Sequence, residues 1–79
     1  MKTPRDLSGA ELADCLCRRW GYQKVQQQGS HIVLQTSEPS PHRIAVPAHR
    51  ALRVGTLNSI LRAVSRYKGV DRQEIIDSL

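Results

Sequence analysis

The chain has no phenylalanine, and its aromatic residues are Trp20, Tyr22 and Tyr67 alone. Leucine, isoleucine and valine must therefore fill whatever interior it builds. No apolar run approaches the ~18 residues of a membrane span, and the first residues lack the apolar stretch of a secretory leader. We therefore expect a soluble, unexported, cytoplasmic protein with no membrane partner. Cysteine is scarce too. Cys15 and Cys17 stand two apart on a predicted helix, about 200° around it at ~100° per residue, so they cannot readily bridge. They read as small apolar residues of a reduced compartment. No CxxC or HxxxH spacing is present, and His31, His42 and His49 put no pair on one helix face. We expect no metal and no cofactor.

Acidic residues are missing from the middle of the chain. Six of the seven lie towards the ends: Asp6, Glu11 and Asp14, then Asp71, Glu74 and Asp77. Between Cys15 and Val70, nine lysines and arginines face the single acid Glu38, a balance of +8 within a chain of net charge +5. Such a concentration on a small domain favours a polyanionic partner, RNA or DNA, through phosphate contacts and counterion release. A merely solvated surface is the alternative. The 79 residues are expected to form one domain, 1–79, whose small core leaves a margin of only ~3–5 kcal/mol.

The elements follow from local signals. After a polar lead over residues 1–6, Ser8 and Glu11 form a capping box with Leu7 and Leu12 as its staple. Leu12, Leu16 and Trp20, with Cys15 alongside, make the buried face of a first helix. Arg18 and Arg19 suit its negative end, and Gly21 stops it. Tyr22 to Gln28 and the run from His31 read as strands joined by Gly29-Ser30, which suits a type II′ turn. That turn sets a register of Gln28 with His31, Gln27 with Ile32, Gln26 with Val33, Val25 with Leu34 and Lys24 with Gln35. By alternation, Val25, Ile32 and Leu34 face the core. Tyr22, Lys24, Gln26, Gln28 and His31 then share an open polar face.

A turn over Ser37–Pro41 leads to a third strand, His42–Pro47, with Ile44 and Val46 inward, Arg43 outward and His42 exposed. Pro47 marks the strand's end or an edge position. An irregular basic connector, Ala48–Arg53, enters a second helix around Val54–Tyr67. There Val54, Leu57, Ile60, Leu61 and Val64 form the apolar stripe, and Arg62 and Arg66 a basic one. Gly55 and Thr56 open this helix, where free backbone N–H groups can receive a phosphate. Lys68-Gly69 closes it. Asp71 and Glu74 then cap a short third helix that carries Ile75, Ile76 and Leu79. The predicted fold is α+β: α-β-β-β-α with a three-stranded antiparallel sheet and a short C-terminal helix, the layout of double-stranded-RNA-binding domains.

Gly29-Ser30-His31 on a hairpin, Val46-Pro47-Ala48-His49 at a strand end and Val54-Gly55-Thr56-Leu57-Asn58-Ser59-Ile60-Leu61 opening a helix occur in that order. On these motifs the chain resembles the HicA-type toxins, small mRNA interferases of bacterial toxin–antitoxin pairs, from the first helix to the C-terminus. The resemblance implies a double-stranded-RNA-binding-like fold and metal-independent, ribosome-independent cleavage of mRNA. It implies a catalytic histidine at His31, and a HicB-type antitoxin as the partner that covers this surface and mediates any oligomer. Family members often carry a basic residue three positions before the glycine of GSH, where this chain has Gln26.

Metal-free RNA cleavage needs a proton acceptor for the 2′-hydroxyl, a donor for the leaving oxygen and positive charge at the phosphate. Histidine titrates near working pH, and arginine and lysine supply the charge. His31 is the candidate general acid or base; its alternative is a structural hairpin-rim histidine. His49 is either a second acid–base group or phosphate ligand, or a loop residue capping a turn. Lys24, Arg43, Arg50, Arg53, Gly55 and Thr56 are candidate phosphate contacts, and Arg62 and Arg66 are either RNA-backbone contacts or part of a solvated face. A non-catalytic RNA-binding module of the same fold, or an adaptor working through protein contacts, are the competing readings. With so few aromatics, the stacking platform of single-strand binders is disfavoured.

Overall fold

The computed structural model describes residues 7–79, so the polar lead over residues 1–6 lies outside the described residues. The order is α1 (Gly9–Arg19), β1 (Gln23–Gln28), β2 (His31–Thr36), β3 (His42–Pro47), α2 (Val54–Lys68) and α3 (Arg72–Asp77). The three strands form one antiparallel sheet in the order β1-β2-β3. This is the expected α-β-β-β-α order with a short C-terminal helix.

The capping signal at the start of α1 forms as read. Glu11 N–H donates to Ser8 Oγ at 3.0 Å while Ser8 N–H donates to Glu11 Oε1 at 3.1 Å, completing the capping box. Leu12 and Leu16 of α1, Ile32 and Leu34 of β2, Val46 of β3, and Leu57, Leu61 and Val64 of α2 close into a core that Ile75 and Ile76 of α3 complete. Both long helices therefore cover one face of the sheet and leave the other open.

Several expectations fail, and most trace to one residue. Gln28, Gln27 and Gln26 pair with His31, Ile32 and Val33 as predicted, but Leu34 then pairs with Lys24 and Gln35 with Gln23. Val25 is the extra residue of a β-bulge, which shifts every earlier residue of β1 by one position. Val25 leaves the core and stands 47% exposed, whereas Tyr22, expected on the open face, is buried at 1%. Lys24 passes from the His31 face to the helix-covered one.

Elsewhere Val54, at the first position of α2, is 55% exposed, and the connector's Leu52 enters the core instead. The Asp71–Glu74 box does not form. Asp71 makes no side-chain cap, and Glu74 N–H bonds to the Asp71 carbonyl at 3.0 Å. His42 is not exposed: it pairs with Thr36 and is half-buried.

Candidate functional site

The site begins with the turn. Gly29 has φ of 57°, and no non-glycine among the described residues has positive φ, so Ser30 must be negative: the signs of a type II′ turn. The first residue after it is His31, paired with Gln28 on one side and Pro47 on the other. Ala48 N–H donates to the Ser30 carbonyl at 2.5 Å. That bond makes His31 and Pro47 a non-hydrogen-bonded antiparallel pair, the spacing at which strands bring side chains closest and at which proline's missing N–H costs nothing. His31 is exposed on the open face, and among the described residues no side chain hydrogen-bonds its ring. Its backbone is held by both neighbours while its imidazole is available to a ligand.

The connector is fastened at the same end of the sheet. Gly9 N–H donates to the His49 carbonyl at 2.9 Å, and Leu52 N–H to the Leu7 carbonyl at 2.8 Å. A Cβ on Gly9 would lie 1.7 Å from the Pro47 carbonyl oxygen, so only glycine lets the first turn of α1 approach β3 this closely. Hairpin tip, connector and the start of α1 are thus laced by main-chain bonds, and His49, Arg50 and Arg53 project from this assembly with exposed side chains. Arg53 is the N-cap of α2 and makes no side-chain cap, and the first turn has no acidic residue. The first bond back along the helix is Leu57 N–H to the Arg53 carbonyl, which leaves the N–H groups of Val54, Gly55 and Thr56 without a helical acceptor. Among the described residues nothing lies within 4 Å of where a Gly55 side chain would begin.

Not every predicted residue joins this group. Arg43 lies on the open face as expected, but four positions along β3 from Pro47, about 13 Å at ~3.3 Å per residue. Its guanidinium is tied to Gln35 Oε1 at 2.7 and 3.2 Å. Lys24 is separated from His31 by the sheet itself, because the bulge turns it towards α1. There it lines a 260 Å³ slot with Ala10, Ala13, Asp14 and Cys17. Gln26 stays on the open face, opposite Val33. Gly9 is the positional residue that sequence reasoning missed. A glycine directly after the capping serine, where a better helix former would serve the helix, was the available signal.

The opposite end of the sheet is closed. His42 stacks on Tyr67 with ring centroids 4.0 Å apart, and its Nδ1 meets the Tyr22 hydroxyl at 3.1 Å. Lys68 Nζ sits 5.1 Å from the Tyr22 ring centroid and donates to Thr36 Oγ1 and the Glu38 carbonyl. Burial first, and the neighbouring Tyr67 second, push the Tyr22 hydroxyl up to about 12. The Cys17 thiol is also raised, chiefly by burial, the opposite of an activated nucleophile. Among the described residues no three of His, Cys, Asp and Glu gather into a group that could hold a metal ion, and no helix is long and apolar enough to cross a membrane.

The arrangement offers an accessible imidazole on a rigid hairpin, a cationic connector beside it and a row of unused N–H donors. Against known proteins, the family model described as the HicA toxin of bacterial toxin–antitoxin matches residues 10–65, from α1 through the hairpin and connector into α2. No curated protein and no solved structure matches the chain.

Proposed function

The chain belongs to the HicA toxin family of bacterial toxin–antitoxin systems, and we propose that it is a ribosome-independent mRNA interferase in which His31 moves the proton. The observation that carries this reading is the placement of His31: fixed through its backbone on both sides, exposed, and, among the described residues, free of side-chain partners. In the proposed reaction the neutral imidazole takes the proton of an RNA 2′-hydroxyl. The 2′-oxygen attacks the adjacent phosphorus, the bond to the 5′-oxygen breaks, and that oxygen leaves with a proton. The products are a 2′,3′-cyclic phosphate and a 5′-hydroxyl, so no water or metal enters the balance of this step.

His49 is proposed as the second acid–base group or as a phosphate ligand. Arg50, Arg53 and the N–H groups of Gly55 and Thr56 would hold the RNA backbone near the reacting phosphate, with Arg43 further along the open face. Donors already in place where negative charge develops usually supply the largest share of catalysis. Lys24 has no part in this proposal, since it lies across the sheet. Family membership brings an antitoxin partner. We propose that it is of the HicB type, covers the His31 end and is the route to any oligomer, with the pair acting in the cytoplasm.

The test is RNA cleavage in EDTA by wild type and His31→Ala, with the product ends identified. Cyclic-phosphate ends from wild type and none from the variant are expected. Undiminished cleavage by His31→Ala would remove that residue from the mechanism. Salt-dependent RNA binding without any product would favour the non-catalytic module instead.

A further inference from the structure

We propose that the solvent face of α2 is a second contact surface for the RNA backbone, separate from the His31 site and carried by Arg62 and Arg66. The proposal rests on the ribonuclease reading only in taking RNA as the polyanion. At ~100° per residue, Gly55, Ser59, Arg62 and Arg66 fall within about 60° of one another. All four are exposed, opposite the buried Leu57, Ile60, Leu61 and Val64. The stripe runs about 16 Å from Gly55 to Arg66 at ~1.5 Å per residue. It starts where the connector delivers Arg53, so a single RNA strand can run from the His31 site onto this second surface.

The charge on this stripe differs from that on the other helices. α1 carries Glu11 and Asp14 among its basic residues, and Arg18 pairs with Asp14 at 2.5 Å. α3 carries Glu74 and Asp77. The 15 residues of α2 contain no aspartate or glutamate at all. Arg62 and Arg66 stand four apart as like charges, a spacing that works against the helix. Among the described residues neither has a carboxylate or hydrogen-bond partner; the ion pair there is Arg18–Asp14.

A further cation is drawn to the same side. Arg72 Nη1 donates to Asn58 Oδ1 at 2.6 Å, and Asn58 stands one helical turn before Arg62. Asp71 and Glu74 are the acids nearest in sequence to Arg72, and neither reaches the stripe's arginines in an ion pair. A surface kept only for solubility mixes both signs. This one does not, and a row of phosphates would turn its internal repulsion into attraction. The domain measures 30 × 30 × 19 Å, while an RNA strand of ~20 nucleotides spans roughly 70 Å at ~3.4 Å each. Such a strand can reach His31 on the sheet and follow the connector onto α2.

The test compares wild type with Arg62→Gln/Arg66→Gln in binding two 2′-O-methyl RNAs, which lack the attacking hydroxyl, of ~20 and ~4 nucleotides. For the long RNA, the slope of log affinity against log salt should shrink by about 1.4, at ~0.7 per single-strand phosphate released, and affinity at low salt should fall about tenfold or more. The short RNA should bind both proteins alike, and Arg62→Lys/Arg66→Lys should restore the slope. Thermal melts of the variants exclude misfolding as the cause. An unchanged long-RNA slope overturns the proposal, as does an equal loss for both RNAs. Loss of antitoxin binding with RNA binding intact also overturns it, in favour of a protein contact. If wild type cleaves no RNA yet the long-RNA effect holds, the ribonuclease reading falls and this surface stands.

Discussion

At one end of the sheet His31 stands on the open face, and among the described residues no side chain is bonded to its ring. At the other, His42 lies on the helix-covered face, stacked on Tyr67 and bonded to Tyr22. The two residues sit on neighbouring strands of the same small sheet, and both look alike as isolated letters in a basic sequence. What separates them is what the second layer does. α2 ends over His42 and supplies Tyr67 and Lys68, so that end is cross-linked and its polar atoms are consumed. Among the described residues no helix covers His31; the hairpin and connector are held by main-chain bonds, which leave the side chains free. One end is stabilised by spending its functional groups, and the other by sparing them.

That contrast yields tests, taken from the largest expected effect to the smallest. His31→Ala should lower RNA cleavage by about 10²–10⁴-fold, the usual worth of a positioned acid or base, with an unchanged melting temperature. A fall in stability instead would make the two histidines alike. Gly9→Ala strikes the same end through the backbone, because the new methyl would meet the Pro47 carbonyl. It should cost about 1–3 kcal/mol in denaturant unfolding, as overpacking does, and should also slow cleavage per folded molecule by moving the strand beside His31.

His42→Ala should do the reverse of His31→Ala. It strands the buried Tyr22 hydroxyl and should cost about 1–3 kcal/mol without changing cleavage per folded molecule; a cleavage defect would put His42 in the chemistry. Tyr22 gives a pH signature of the closed end. Its ionisation is raised from 10.0 to about 12 in the folded protein. The stabilising contribution is complete below pH 10 and is lost as pH rises to about 12, because the unfolded chain releases the proton first. Stability measured across that window should fall in wild type, and Tyr22→Phe should lack this part of the fall. Smallest of all, Asp14→Asn breaks an exposed i,i+4 pair with Arg18 that belongs to neither end. It should change neither the melting temperature nor cleavage measurably.

Much of the architecture was legible because its causes are short-range. A capping box needs only Ser8 and Glu11 on successive turns, and a two-residue Gly29-Ser30 turn forces Gln28 against His31 whatever the rest of the chain does. The same reasoning failed beyond Gln26. Alternation assumes that each residue of β1 has one partner, and nothing in Gln23-Lys24-Val25-Gln26 marks Val25 as the one left over. From that point alternation places Lys24, Val25 and Tyr22 on the wrong faces. His42 departs from its local pattern for a related reason: its neighbour Pro41 suggests exposure, while the ring that covers it belongs to Tyr67, 25 positions on. The Asp71–Glu74 cap had the right letters, but the short α3 satisfies its first turn through the Asp71 carbonyl.

The sequence by itself therefore determined the elements and their order, the turn that puts a histidine at the head of β2, and the excess of positive charge with no acid on α2. The Ser8–Glu11 cap, the Gly29-Ser30 turn and most of each long helix's buried face are settled within three or four residues, so there neighbouring letters suffice. Only the tertiary structure decided which face each residue of β1 meets, that Lys24 and His31 lie on opposite sides of the sheet, and that Gly9 clamps the connector beneath Pro47. Those outcomes depend on counting residues against a partner strand and on two backbones meeting from 38 positions apart, and neither is recorded in any local pattern.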